Sequence, residues 1–169
     1  MGNTITNIKN YSHKEWLDKS LAMSNSLTGL LIEILSLTAS CLAKTDTEID
    51  FAIWLASHDP ILGGGNAEFD ISELPWSVEN FEAEKKFLLQ VVDAAKAKHY
   101  WNRLNYNPRE ETALCLLEKF GSLIEDFTKE FVGKYPYRVY PVPMPIQREK
   151  CSVHGVYLSV YGCVLCNGT

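Results

Sequence analysis

The chain of 169 residues lacks most signatures of a catalytic or membrane protein. Its one glycine run, Gly63-Gly64-Gly65, is followed by Asn66 and carries no Lys-Ser/Thr. A phosphate-cradling loop is therefore excluded. No Glu-x-x-His pair occurs, since Lys96 stands where a glutamate would have to precede His99; a carboxylate-bridged di-iron bundle is excluded with it. His58-Asp59 has no serine or cysteine nucleophile in a recognisable context, so no triad is formed. The opening MGNTITNIKNYSHKEW has no apolar core and does not read as a signal peptide. The most apolar stretch, Leu21 to Ala43, is interrupted by Glu33 and by Ser24, Asn25, Ser26 and Thr28. It reads as a core-facing helix, and no membrane association is expected.

Positive charge is scarce as well. Residues 1–133 hold 12 Lys/Arg against 20 Asp/Glu, a balance of −8, whereas residues 134–169 hold 4 against 1, a balance of +3. An acidic body is a poor surface for a phosphate backbone. Cysteine is sparse and unevenly placed: Cys41 and Cys115 stand alone on apolar faces and read as small core residues, and the other three crowd the C-terminus. That usage suits a reducing compartment better than a disulfide framework, so a cytoplasmic location is expected.

What is present over residues 1–133 is helical periodicity. Ser12 and Glu15 match a capping box ahead of Leu17, Leu21, Leu27, Leu31, Ile34, Leu35, Thr38 and Leu42, which predicts a helix from about 13 to about 43. Thr45 and Glu48 open a shorter helix that is apolar nearly all round and hence buried. A third helix is expected over about 78–103. A fourth is expected with Asn107 as N-cap, Pro108 at its first position and Glu110 closing a capping box; it carries the stripe from Ala113 to Phe131 and ends at Gly133. Short links between the first and second and between the third and fourth predict a mainly α fold, an antiparallel helical bundle of about four helices. Residues 134–150 contain Pro136, Pro141, Pro143 and Pro145, which excludes helix and predicts an extended, proline-rich strap. Residues 151–169 form a third segment.

That last segment carries the strongest chemical signal. Cys151-x2-His154-x8-Cys163-x2-Cys166 presents four N/S donors as two closely spaced pairs, a pattern that can converge on one tetrahedral Zn2+. Gly155 directly after the first pair allows backbone amides to turn toward the thiolates without a Cβ clash. GVYLSVYG between the pairs alternates like a small β-hairpin. Over about 151–168 the pattern resembles a short zinc-ribbon or zinc-knuckle site of the form C-x-x-H-G…C-x-x-C. The resemblance implies metal binding and leaves the rest of the chain unassigned. With all four positions filled by protein, the expected role of the ion is structural.

Two binding surfaces are candidates. Glu68, Phe69, Asp70, Glu73 and Trp76 alternate acid with apolar on the loop after the second helix. Such a segment can grip a basic protein, with aromatics as anchors and acids as steering charges. Alternatively, Arg148, Lys150, Tyr157 and Tyr161 combine cations with aromatics around the zinc segment, a set that could contact nucleic acid. The reading that follows is a non-enzymatic binding protein, of inhibitor, immunity or adaptor type, with a structural zinc and a basic protein partner. Nucleic-acid binding through the zinc segment is the alternative.

Overall fold

The computed structural model describes residues 2–8, 19–62, 67–134 and 141–166. Among these, the fold is mainly α, with four α-helices and a small three-stranded sheet. The sheet is formed by β1 (Gly2–Thr6), β2 (Leu21–Ser24) and β3 (Phe69–Asp70) in the order β2-β1-β3. β1 pairs antiparallel with β2, Asn3 opposite Met23 and Ile5 opposite Leu21, and parallel with β3, Ile5 opposite Phe69.

This sheet corrects the first predicted helix. Leu21 and Met23 are buried while Ala22 and Ser24 are exposed, a period of two that only a strand produces. The helix begins after Ser24, whose side chain accepts from the Leu27 N–H at 3.3 Å. The Ser12–Glu15 box lies outside the described residues.

Helix α1 (Asn25–Leu42) is the centre of the molecule. Every residue from Leu31 to Ser40 is buried, because α2 (Asp46–Ala56) and α3 (Phe81–Lys96) both pack on it. By length and composition α1 could cross a membrane, with a mean hydropathy of 1.4. In the fold it is the core helix. Among its buried hydroxyls, Thr38 Oγ1 donates to the Ile34 carbonyl at 2.7 Å, whereas Ser36 Oγ has no hydrogen-bond partner among the described residues.

Helix α2 begins at the capping box read from the sequence: Thr45 Oγ1 accepts from the Glu48 N–H and Glu48 Oε2 accepts from the Thr45 N–H. Phe51 to Ala56 are all buried. Helix α3 buries Phe81, Phe87, Leu88, Val91, Val92 and Ala95 and packs against α4 (Glu110–Asp126). The close approach of these two is set at Gly121, where an added Cβ would lie 3.1 Å from Val92 Cγ1.

Both of these helices differ from expectation at their ends. α3 stops at Lys96, and Lys98 takes a positive φ of 60°. The chain then turns through a 3-10 segment at Trp101–Arg103. α4 opens at Glu110 after an extended Arg109 and has no side-chain cap, so Asn107 is not its N-cap. It ends at Asp126; Phe127 is buried beyond it, and Phe131 belongs to a separate 3-10 turn. The early stop of α3 matters most, because it aims residues 103–106 at the C-terminal segment and at α1.

Of the proline-rich segment, residues 135–140 lie outside the described part, as do Gly63 to Gly65. Pro141, Val142 and Met144 border a cavity shared with Trp54, Leu74 and Trp76. Residues beyond 150 contribute Val156, Val164 and Leu165 to the core at 0–1% exposure.

Candidate metal centre

The four predicted ligands come together. One donor atom from each of Cys151, His154, Cys163 and Cys166 lies within 4.8 Å of every other. His154 Nδ1 is 3.8 Å from Cys151 Sγ, 3.7 Å from Cys163 Sγ and 3.4 Å from Cys166 Sγ, and Cys151 Sγ is 3.6 Å from Cys166 Sγ. Tetrahedral bonds of about 2.3 Å to sulfur and about 2.0 Å to nitrogen require donors about 3.5–3.8 Å apart. The cluster could hold a metal ion at these separations. No disulfide competes for the cysteines.

The local chain is built for this convergence. The Cys151 N–H donates to the Val156 carbonyl and the Gly155 N–H to the Cys151 carbonyl, both at 2.8 Å. The tight turn this makes needs Gly155 at φ +67°. Antiparallel bridges join Lys150 to Tyr157 and Ser159 to Gly162, so the intervening segment doubles back and returns the second ligand pair to the first. Val164 and Leu165, between Cys163 and Cys166, are buried; their apolar side chains anchor that second pair to the body.

Residues that the ligand pattern does not announce complete the site. Asn105 Nδ2 donates to the Leu165 carbonyl at 2.7 Å, which leaves Asn105 Oδ1 to face His154 Nε2 at 3.0 Å. A backbone carbonyl can only accept, so the amide orientation is fixed. His154 must then carry its proton on Nε2 and present the Nδ1 lone pair to the three sulfurs. This is the outer-shell arrangement that orients metal-binding histidines. Arg103 makes a second tie: Nη2 donates to the His154 carbonyl at 2.8 Å, and Nη1 lies 3.0 Å from Cys41 Sγ. A third comes from Ser40 of α1, whose Oγ accepts from the Tyr157 N–H at 3.0 Å.

Electrostatics within the cluster are uneven. Backbone N–H groups at His154 and Val153 face Cys151, and the first of these is the main reason its pKa falls to about 6 against the cost of burial. Burial pushes Cys163 up to about 12. The neighbouring Cys151 thiol raises Cys166. Three sulfurs this close cannot all ionise without a cation among them, which is the environment a bound metal ion reverses.

The other predicted residues are dispersed. Phe69 and Asp70 are buried at 3% and 0% exposure. Asp70 accepts from Thr6 Oγ1 at 2.6 Å and from the Ser72 N–H at 2.9 Å, while Glu73 Oε2 accepts from the Asp70 N–H at 2.7 Å. Trp76 donates from Nε1 to the Ile71 carbonyl and packs on Phe51, Phe81 and Phe127. Only Glu68 of this set is exposed. Arg148 forms a two-point pair with Asp50 at 2.8 and 3.0 Å and lies 3.7 Å from Asp46. Lys150 Nζ sits 4.8 Å from the Tyr157 ring centre, and Tyr161 is half-buried. Cys41 is half-buried beside Arg103, whereas Cys115 is exposed and not the core residue its helix face suggested. His58 is buried with Nδ1 2.8 Å from the Trp54 carbonyl and its ring against that indole, a structural position at the end of α2.

No known family, curated protein or solved structure matches the chain.

Proposed function

We propose that the chain is a non-enzymatic binding protein whose C-terminal segment is clasped to the helical body by one structural Zn2+. The observation that carries the metal reading is the donor set itself: three thiols and one imidazole nitrogen within 4.8 Å, with the imidazole held by Asn105 in the tautomer that leaves Nδ1 as a ligand. Soft thiolates with one imidazole select zinc among common divalent ions. Four protein donors leave no open position for substrate, so the ion holds shape and does no chemistry. Such a site also suits a compartment that keeps thiols reduced, which supports a cytoplasmic location.

The partner reading is a basic protein. It is supported by the balance of −8 over residues 1–133, since a surface with excess carboxylates attracts cationic partners and speeds their encounter. Nucleic-acid binding is disfavoured because Arg148 is already paired with Asp50 and Asp46 and Lys150 lies over Tyr157.

Metal analysis of protein purified without added zinc tests the first reading, with a thermal melt before and after a strong chelator. The expected result is close to one zinc per chain, and loss of the cooperative melt of the C-terminal segment on chelation. A metal-free preparation with unchanged melting and freely reactive Cys151 and Cys166 overturns it. Retention of partners at low but not high salt tests the second.

A further inference from the structure

The donors of the metal centre are not equally open to solvent. Cys163 is only 4% exposed, with Val164 and Leu165 buried beside it. Cys166 is exposed and Cys151 half-buried, and their sulfurs lie 3.6 Å apart. A disulfide holds its sulfurs at about 2.05 Å, so an approach of about 1.5 Å joins this pair. Oxidation of cysteine follows access and a neighbouring resolving thiol. Both conditions are met at Cys166 with Cys151, and the first is not met at Cys163.

The seating of the C-terminal segment depends on the same side chains. Withdrawing Cys151 and Cys166 leaves His154 and Cys163, and two donors do not make the closed four-donor sphere of a structural zinc. The polar ties of the segment to the body fall beside the ligands. Arg103 Nη2 donates to the carbonyl of His154 at 2.8 Å, and Asn105 Nδ2 donates to that of Leu165, the neighbour of Cys166, at 2.7 Å. The Tyr157 N–H donates to Ser40 Oγ of α1 at 3.0 Å. Movement of the two sulfurs toward each other therefore reaches the contacts that dock the segment.

We propose that the clasp is a redox switch, in which a peroxide joins Cys151 and Cys166 as a disulfide, Zn2+ is released and the segment undocks from α1. The inference rests on the zinc reading above and adds the regulation of that site. The exposed Cys166 sulfur attacks the O–O bond of hydrogen peroxide, forming S–OH and releasing hydroxide. The Cys151 sulfur then displaces a second hydroxide from that sulfur, and the S–S bond forms. The two sulfurs together give up two electrons, which reduce the peroxide, and two protons from solvent convert the hydroxides to water. Zn2+ departs to solvent, and Cys163 keeps its reduced sulfur. A dithiol reductant reverses the step by exchange and restores the donor set for metal.

Treatment of the zinc-loaded, full-length protein with about one equivalent of hydrogen peroxide tests it, read by a chromophoric zinc indicator and by mass spectrometry of the alkylated digest. Release of about one zinc per chain is expected, with Cys151 linked to Cys166 and Cys163 recovered as a thiol. Hydrogen exchange at the Tyr157 amide is expected to quicken about tenfold or more as the segment undocks. Dithiothreitol with added zinc is expected to restore both. Cys166→His keeps a fourth nitrogen or sulfur donor but removes the exposed sulfur, and is expected to release zinc about tenfold or more slowly. Cys115→Ser, at an exposed position outside the cluster, is expected to release it at the wild-type rate. The wild-type disulfide map decides the matter if Cys166→His does not fold. Zinc retained under peroxide, a principal disulfide that includes Cys163, or Tyr157 protection unchanged in the oxidised, zinc-free protein overturns the switch and leaves the zinc reading standing. A chain that holds no zinc before oxidation overturns both.

Discussion

Replacing Asn105 by alanine isolates the contribution of a residue that touches no metal. The substitution removes two contacts, the acceptor facing His154 Nε2 at 3.0 Å and the donor to the Leu165 carbonyl at 2.7 Å. They report on different quantities. Without Oδ1 the imidazole is free to rotate and to exchange tautomers, so part of its population no longer offers Nδ1. Outer-shell losses of this kind weaken metal binding about 10–100-fold. The His154–Asn105 contact lies at an exposed position, where water can replace the lost acceptor. The lower end is therefore expected, about tenfold or about 1.4 kcal/mol. The Leu165 carbonyl belongs to a residue only 1% exposed, and stranding it adds about 1–3 kcal/mol to the cost of docking the segment. Competition against a chromophoric chelator reads the first effect, and cobalt(II) absorption reads the geometry. A denaturant melt of the metal-loaded protein reads the second. Asn105→Asp separates them: it keeps an acceptor for His154 Nε2–H while turning an oxygen toward the Leu165 carbonyl. Metal affinity is expected to recover and stability is not. Equal metal affinity in wild type and Asn105→Ala would refute the tautomer argument, because among the described residues no other hydrogen bond fixes Nε2.

Gly155→Ala is expected to undock the segment by a different route. An alanine there is strained at φ +67°, and its Cβ would lie 2.3 Å from Arg103 Nη2; a loss of about 1–3 kcal/mol is expected, with partial relief in an Arg103→Ala background measured by a double-mutant cycle. Glu33 supplies a pH test. Its folded pKa lies above the ordinary 4.5, so its contribution is most favourable below 4.5 and is lost as pH rises through the folded value. Wild type should therefore be nearest to, or above, Glu33→Gln in acid and fall behind it at neutral pH in urea unfolding series. A difference independent of pH would refute the assignment of Glu33 as a buried carboxyl whose charged form burial disfavours.

The legible parts of the sequence were those in which few residues determine the outcome. Two pairs of donors with fixed spacing have one way to converge, and Cys151, His154, Cys163 and Cys166 do so. Thr45 and Glu48 cap α2 because both partners of that motif lie within one turn. The failures share a cause in long-range context. Leu21 and Met23 fit a helical stripe as well as a strand, and pairing with Gly2–Thr6 decides between them. Phe69 and Trp76 alternate with acids as a partner-gripping loop would. Asp70 is instead consumed by Thr6 and Ser72, and Trp76 by the core. Asn105 has no signal at all, being an ordinary turn residue until the early stop of α3 brings it under His154.

The proposed ion would offset a deficit in the C-terminal segment's own composition. Between Lys150 and Gly162 its pairing is limited to isolated bridges, with no helix or ladder to share the cost of order. Each ordered residue loses about 1–2 kcal/mol of backbone freedom. Val156, Val164 and Leu165 are the fully buried side chains it offers in return, each contributing about 1.5–3 kcal/mol. Apolar burial alone is outweighed over a segment of this length. Cross-linking four side chains through one ion removes freedom from the undocked chain as well as adding bonds to the docked one, and structural zinc sites contribute about 10–16 kcal/mol of apparent binding energy in this way. The ties from Asn105, Arg103 and Ser40 then acquire a definite role. They place the segment on α1 and on the 3-10 turn, so that, under the proposed zinc clasp, loss of metal and loss of docking would be coupled.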